Sequence, residues 1–424
     1  MLVRFIFILF FIIAYKFIPV FEPRGVNYIL SIFLLGFIVF ETFKIWKTIK
    51  IDEVKKQKIQ KLGYLTFIIG IFTIIILGIH KEDPASNLRF IRLCLILAGI
   101  MIGGKIVKEI SNSSIPNIIK NACLVLYSSI TFIAIIESCF MFVALSHGSG
   151  EAYSGKIWGN RNWNPINSYG FRDEEPKNKK NNVFFIGDSF TAGWGVKKIV
   201  DRFGEITSNE FKNKGKSINE INLGRYGADT QLEYHVFENF TKKSAIKPDH
   251  IVLQFFVNDM DKFIPYNKKC STVATDEGRL KKILVEGSYL INFVNSIYPS
   301  QNSNVKKPKE CDYLEQLKYV FGTDTIWKKE EKQLNKFRDY CSENNIKMTL
   351  VFFPFMEDLE LSKKIKIDEK LKKYCNSNSI TFFNVSDVIS NIPKKNREAS
   401  LVDAHASAEV HKIVGKKLAE IIKI

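Results

Sequence analysis

The chain has 424 residues, 46% of them hydrophobic and 25% charged, and 61 Lys and Arg against 44 Asp and Glu give a formal net charge of +17. This length predicts two or three domains, and the composition excludes a disordered chain, a collagen-like chain and a small disulfide scaffold. The apolar residues crowd into the first third, which argues against a wholly cytosolic protein. The lysines are scattered instead of forming an aromatic-interleaved stripe, so the charge does not indicate nucleic acid. Anionic lipid or an acidic glycan suits it better.

Five apolar stretches come first, at about residues 2–20, 26–46, 63–80, 90–107 and 118–145. Each approaches the ~20 residues that a helix needs to cross a hydrocarbon core. The first lacks a small-x-small cleavage site and reads as an anchor, not as a removable leader. The loop after the second stretch carries Lys47, Lys50, Lys55, Lys56, Lys58 and Lys61, which predicts a cytoplasmic loop. Odd spans then place the N-terminus inside and the C-terminal domain outside. Glu137, inside the fifth stretch, is either a packing residue near the interface or a polar site. The expected organisation is a membrane region over residues 1–148, a linker and lead-in over 149–180, and a second domain over 181–424.

From about Tyr153 the pattern alternates between strand and helix. Buried β-type runs fall at residues 181–187, 217–224, 250–257, 346–353 and 380–385, with helical stretches at 327–344, 368–375 and 409–422. Such runs separated by helices predict a parallel sheet covered on both faces. Ligand groups then collect beyond the C-terminal strand ends. Residues 263–321 fit no strand or helix of the sheet and read as a partly helical insertion over the site, or as surface decoration. Four cysteines lie in this domain. Paired across an oxidising face they allow three connectivities, of which Cys270–Cys311 with Cys341–Cys375 is the one taken, and free thiols are the alternative.

Polar residues follow the strands in order. Gly187-Asp188-Ser189-Phe190 follows the first, Asn222-Leu223-Gly224-Arg225-Tyr226-Gly227-Ala228-Asp229 the second, and Val257-Asn258-Asp259 the third, while Asp403-Ala404-His405 opens the last helix. A serine at a strand-to-helix turn lies where free N–H groups favour an oxyanion. Thr191 stands where the α/β-hydrolase elbow needs its last glycine. Together the four segments resemble the SGNH (GDSL-type) hydrolase superfamily over roughly residues 160–424. Asn167-Ser168-Tyr169-Gly170-Phe171-Arg172 is similar to the lead-in of its membrane-anchored bacterial members.

The resemblance implies an α/β, flavodoxin-like fold with a five-stranded parallel sheet, and a serine esterase without cofactor or metal. It implies Ser189 as nucleophile, His405 as general base and Asp403 as the carboxylate orienting the imidazole. The implied oxyanion hole joins the N–H of Ser189, the N–H of Gly227 (Gly224 being the alternative) and the Asn258 amide. Asp188 is expected to bond backbone in the turn. Two departures stand out: Phe256 occupies a position usually glycine, and Val402 stands where the family's aspartate usually lies, so that Asp403 is only two residues before His405. His411 is the rival base. The expected function is a multi-pass cell-membrane esterase with its catalytic domain outside. It removes or transfers a small acyl group, acetyl above all, on a glycan or other ester. Its partners would be that ester, membrane lipid and a membrane acyl-donor protein, with no nucleic acid. An O-acyltransferase and a non-catalytic glycan-binding protein are the alternatives.

Overall fold

The computed structural model describes residues 84–148, 152–265, 284–285, 287–297 and 311–423. The chain divides into two compact units, residues 1–144 with 284–293, and residues 145–283 with 294–424. The first three predicted spans lie outside the described residues. In the first unit, helices α1 (Pro84–Ser111) and α2 (Asn117–Phe140) pack together. Tyr127 of α2 lies where a Cβ on Gly103 would stand, and its hydroxyl donates to the Ile100 carbonyl at 2.8 Å. Among the described residues α2 alone is long and apolar enough to cross a membrane, with a mean hydropathy of 1.9. Glu137 is a structural cap. It accepts from Arg92 (2.8 Å), from the Ser288 hydroxyl (2.7 Å) and from the N–H groups of Tyr289 (2.8 Å) and Leu290 (2.9 Å), at the start of the short helix Tyr289–Ile297. Those N–H groups have no intrahelical partner, so a carboxylate there satisfies them and meets the positive end of the helix dipole.

The second unit opens with α3 (Tyr153–Asn162). A five-stranded sheet follows: β1 (Asn182–Ile186), β2 (Asn219–Asn222), β3 (His250–Phe255), β4 (Lys347–Phe352) and β5 (Thr381–Asn384). All pairings are parallel and the order is β2-β1-β3-β4-β5, the flavodoxin-like order. Strand side chains alternate between faces. Phe184, Ile186, Ile251, Leu253 and Phe255 therefore join one core with α6 (Thr230–Ser244), α7 (Asp324–Glu343) and α8 (Ile367–Ser377). Val183, Phe185, Val252 and Val351 join the other with α5 (Phe203–Asn213) and α9 (Ala408–Ile421). The short α4 (Ser189–Ala192) follows β1. Helices α5 and α9 approach closely because position 415 is glycine: a Cβ there would lie 2.7 Å from Ile206 and from the Phe203 carbonyl.

Two expectations are corrected. Cys341 and Cys375 are free thiols, not a disulfide; both are buried in the first core, and burial pushes each thiol up to about 12. Cys311 is disulfide-bonded, and Cys270, its expected partner, lies outside the described residues. Asp403 and His405 do not open the last helix. They lie on β7 (Asp403–Ala406), which pairs antiparallel with β6 (Glu398–Ser400). Of the insertion, only residues 263–265, 284–285, 287–297 and 311–321 are described, and residues 284–293 belong to the first unit.

Between α6 and α7 the interior is acidic. Glu233 has both carboxylate oxygens buried without a hydrogen-bond partner among the described residues. Asp259 accepts from the Thr230 hydroxyl (2.9 Å) and the Phe256 N–H (2.9 Å), and Lys262 reaches Glu330 at 3.3 Å and Asp229 at 3.4 Å. Burial, then the charges of Asp259, Asp188, Glu330 and Asp229, pushes the Glu233 carboxyl well above the usual range. Burial does the same to Asp259, with Glu330 and Asp188 adding to it. A raised folded-state pKa gives stability that is complete below the ordinary carboxylate range and is lost as pH rises through the raised value. Glu233→Gln therefore removes this loss. Denaturant titrations at pH 5 and pH 8 are expected to show the variant more stable by roughly 1–3 kcal/mol at pH 8, with a smaller gap at pH 5. Gly415→Val is expected to lower stability by about 1–3 kcal/mol in the same measurement, through overpacking against α5.

Candidate active site

The turn that carries Ser189 is built by crowding. A Cβ on Gly187 would run into Thr191 Oγ1 and Gln254 Oε1, so only glycine lets β1 pass straight into α4. Gln254 Oε1 accepts from the Asp188 N–H and the Thr191 hydroxyl, both at 3.0 Å, which ties β3 to the turn. Asp188 is the N-cap: its Oδ1 accepts from the Phe190 N–H at 2.8 Å. Ser189, 5% exposed, is the first residue of α4. Its N–H makes no bond among the described residues, as expected at a helix start.

The hairpin brings up the other two groups. Residues i and i+2 of a strand share a face, so Asp403 and His405 project together from β7. His405 Nδ1 lies 2.5 Å from Asp403 Oδ1, and His405 Nε2 lies 2.8 Å from Ser189 Oγ. Strand geometry thus explains how an aspartate only two residues before the histidine reaches its imidazole. Burial pushes Asp403 upward, but the hydrogen bond and charge of His405, with Ser146 close by, outweigh it and hold the carboxyl below the usual range. The rival His411 is fully buried, accepts from the Phe203 N–H at 3.2 Å and stacks on the Phe203 ring. Burial, then Arg202, Arg172 and His405, pushes it down to about 3. It is a neutral core residue.

Gly227 has φ +68° and open space around it, and its N–H has no partner among the described residues. The Gly224 N–H is already used by Asn222 Oδ1 at 3.0 Å, and a Cβ on Gly224 would collide with the backbone of Thr191 and Ala192. Gly224 is therefore the close-approach glycine and Gly227 the available donor. The Asn258 amide donates one N–H to Asp188 Oδ2 at 3.0 Å, which leaves its second N–H for a ligand. Asp188 does bond backbone, as expected, but it also holds this amide. The Phe256 ring packs 4.8 Å from Phe190 and 5.6 Å from Phe355. The Asn258 amide keeps its bond to Asp188 beside it.

Other contributors carried no motif. Trp194 lies 6.5 Å from the His405 ring and 5.1 Å from Tyr226. Its indole donates to the His147 carbonyl at 3.1 Å. Arg172, in the lead-in, is 2% exposed and donates to the carbonyls of Asn162 (2.9 Å), Gly193 (2.5 Å) and Val196 (2.7 Å), which holds the loop after α4. Burial, then Arg202, pushes its guanidinium down to about 10. Among the described residues, carboxylate oxygens of Asp173, Glu205 and Glu220 cluster within 4.8 Å. Arg202 already fills that cluster, at 2.8 Å from Asp173 and 3.6 Å from Glu205.

The sequence pattern of the GDSL-like Lipase/Acylhydrolase family matches residues 183–418. No curated protein matches the chain. Similar solved structures include a lipolytic protein of the G-D-S-L family from Desulfitobacterium hafniense DCB-2, at 15% identity and TM-score 0.36, covering 57% of this chain and 100% of that one. A second is the psychrotrophic esterase EstA from Pseudoalteromonas sp., at 10% identity and TM-score 0.34, covering 57% and 96%. The acetyl xylan esterase AlAXEase matches at 16% identity and TM-score 0.35, covering 57% and 100%. With the family pattern spanning more than half of the chain and the five-stranded parallel sheet in place, the chain belongs to the GDSL-like lipase/acylhydrolase family of the SGNH superfamily and is a hydrolase of ester bonds.

Proposed function

We propose that the protein is a membrane-anchored serine esterase that releases a small acyl group, acetyl above all, from an extracytoplasmic glycan or related ester through an acyl-Ser189 intermediate. The observation that carries this reading is the continuous chain Asp403–His405–Ser189, at 2.5 and 2.8 Å. His405 Nε2 takes the Ser189 proton as Oγ attacks the ester carbonyl, and Asp403 fixes the tautomer and favours the imidazolium that forms. The N–H groups of Ser189 and Gly227 and the second N–H of Asn258 receive the oxyanion. His405 then protonates the leaving alcohol, and the steps run in reverse with water. A sugar hydroxyl in place of water would make the same site a transferase.

The crowding of Phe256 against Phe190 favours a short acyl chain. The apolar α2, with a mean hydropathy of 1.9, supports anchoring, and the basic loop before it in the sequence supports an outside catalytic domain. The disulfide at Cys311 fits an oxidising compartment. The assembled triad weighs against a binding-only protein, in which nothing would keep these three groups in register.

Kinetics on p-nitrophenyl acetate test the roles. Ser189→Ala is expected to lower kcat by about 10⁴-fold or more, and Asn258→Ala by about 10²–10³-fold with little change in KM. Full turnover by Ser189→Ala would refute the acyl-serine mechanism. A phosphatase reporter fused to the C-terminus is expected to be active outside the cell. Activity only of a cytoplasmic reporter at that end would overturn the glycan reading.

A further inference from the structure

The family match begins at residue 183, yet a segment far upstream, Ser146–Gly148, lies against the acid end of the triad. Ser146 is 3% exposed. Its carbonyl accepts from the Ser400 hydroxyl at 2.7 Å, and the Gly148 N–H donates to the Val402 carbonyl at 3.1 Å. These two bonds grip the β6–β7 turn on either side of Leu401, immediately before Asp403. The same segment takes the indole N–H of Trp194 on the His147 carbonyl (3.1 Å) and the Tyr226 hydroxyl on the Gly148 carbonyl (3.2 Å). It therefore touches the histidine hairpin, the loop after the nucleophile and the loop that carries Gly227.

The triad carboxylate also has a vacancy on this side. Asp403 Oδ1 serves His405, while Oδ2 is buried with no hydrogen-bond partner among the described residues. Leaving a buried carboxylate oxygen unpaired is costly, and a serine hydroxyl turns freely about its C–O bond to donate. We propose that Ser146–Gly148 is a working part of the catalytic site and that Ser146 is a positioning residue, its hydroxyl serving Asp403 Oδ2 while its backbone clamps the hairpin. The influence of Ser146 in holding the Asp403 carboxyl down agrees with this placement. The other titratable groups facing that carboxylate are His405 and His147. Burial lowers the pKa of His147 and Asp403 partly offsets this.

The proposal rests on the triad reading above, and one experiment separates the two. The full-length protein carries Ser146→Ala, Ser146→Thr, Ser400→Ala or, as reference, Ser189→Ala, and kcat/KM on p-nitrophenyl acetate is followed against pH. Ser146→Ala is expected to lose about tenfold, the size of one hydrogen bond to a charged group. The acidic limb of its profile moves to higher pH, because a carboxylate without that donor attracts the imidazole proton more strongly. Ser146→Thr restores the hydroxyl and recovers most of the loss. Should Ser146→Ala fail to fold, Ser400→Ala tests the clamp from the hairpin side, with a several-fold loss expected. Wild-type rates and profile in Ser146→Ala would overturn the proposal. So would a loss with an unmoved acidic limb, or wild-type rates in Ser400→Ala where that variant decides. Retained activity in Ser189→Ala would instead sink the triad reading, whatever the other variants show.

Discussion

The Asp188 carboxylate ties the turn that carries Ser189 to the Asn258 amide. One oxygen caps α4 through the Phe190 N–H, and the other holds the Asn258 side chain. The first bond fixes the helix start where the Ser189 N–H is free. The second fixes the direction of the amide's remaining N–H. Two donors from distant parts of the chain are thus set by one rigid, buried group, and preorganised donors of this kind contribute most when nothing must move at the moment of reaction. Gln254, bonded to Asp188 N–H and Thr191, ties that group to the third strand.

The parallel sheet makes this convergence possible. Each strand ends at the same edge, so loops after β1, β2 and β3 meet although some seventy residues separate Ser189 from Asn258. His405 and Asp403 arrive differently, on an antiparallel hairpin added beside the sheet. A strand presents alternate residues to one side, and this period of two is why the spacing Asp-x-His brings the carboxylate to the imidazole here.

Much of this was legible in the sequence. The five strand runs were marked by β-branched and aromatic residues, and all five became strands of the one sheet. Ser189, Gly227 and Asn258 stood out because each follows such a run, and Asp403 and His405 because they stand just ahead of the last amphipathic helix. The β6–β7 hairpin was hidden, since its strands, Glu398–Ser400 and Asp403–Ala406, are very short and run directly into the amphipathic α9. The states of Cys341 and Cys375 were also hidden: spacing says nothing of their burial in the first core. Ser146–Gly148 carried no motif because its contribution is made mostly by backbone groups, which any sequence supplies. Arg172 was legible only as part of a lead-in, and its bonds to five backbone carbonyls show what that lead-in holds.

The central claim is that one hydroxyl, activated by one imidazole, attacks a carbonyl at this site. Intact-protein mass spectrometry after exposure to a fluorophosphonate tests it most directly, followed by peptide mapping of the adduct. The account predicts a single phosphonyl group on Ser189, formed quickly in the native chain and slowly or not at all in His405→Ala. No adduct on folded protein, an adduct on another residue, or equal labelling without His405 would contradict it.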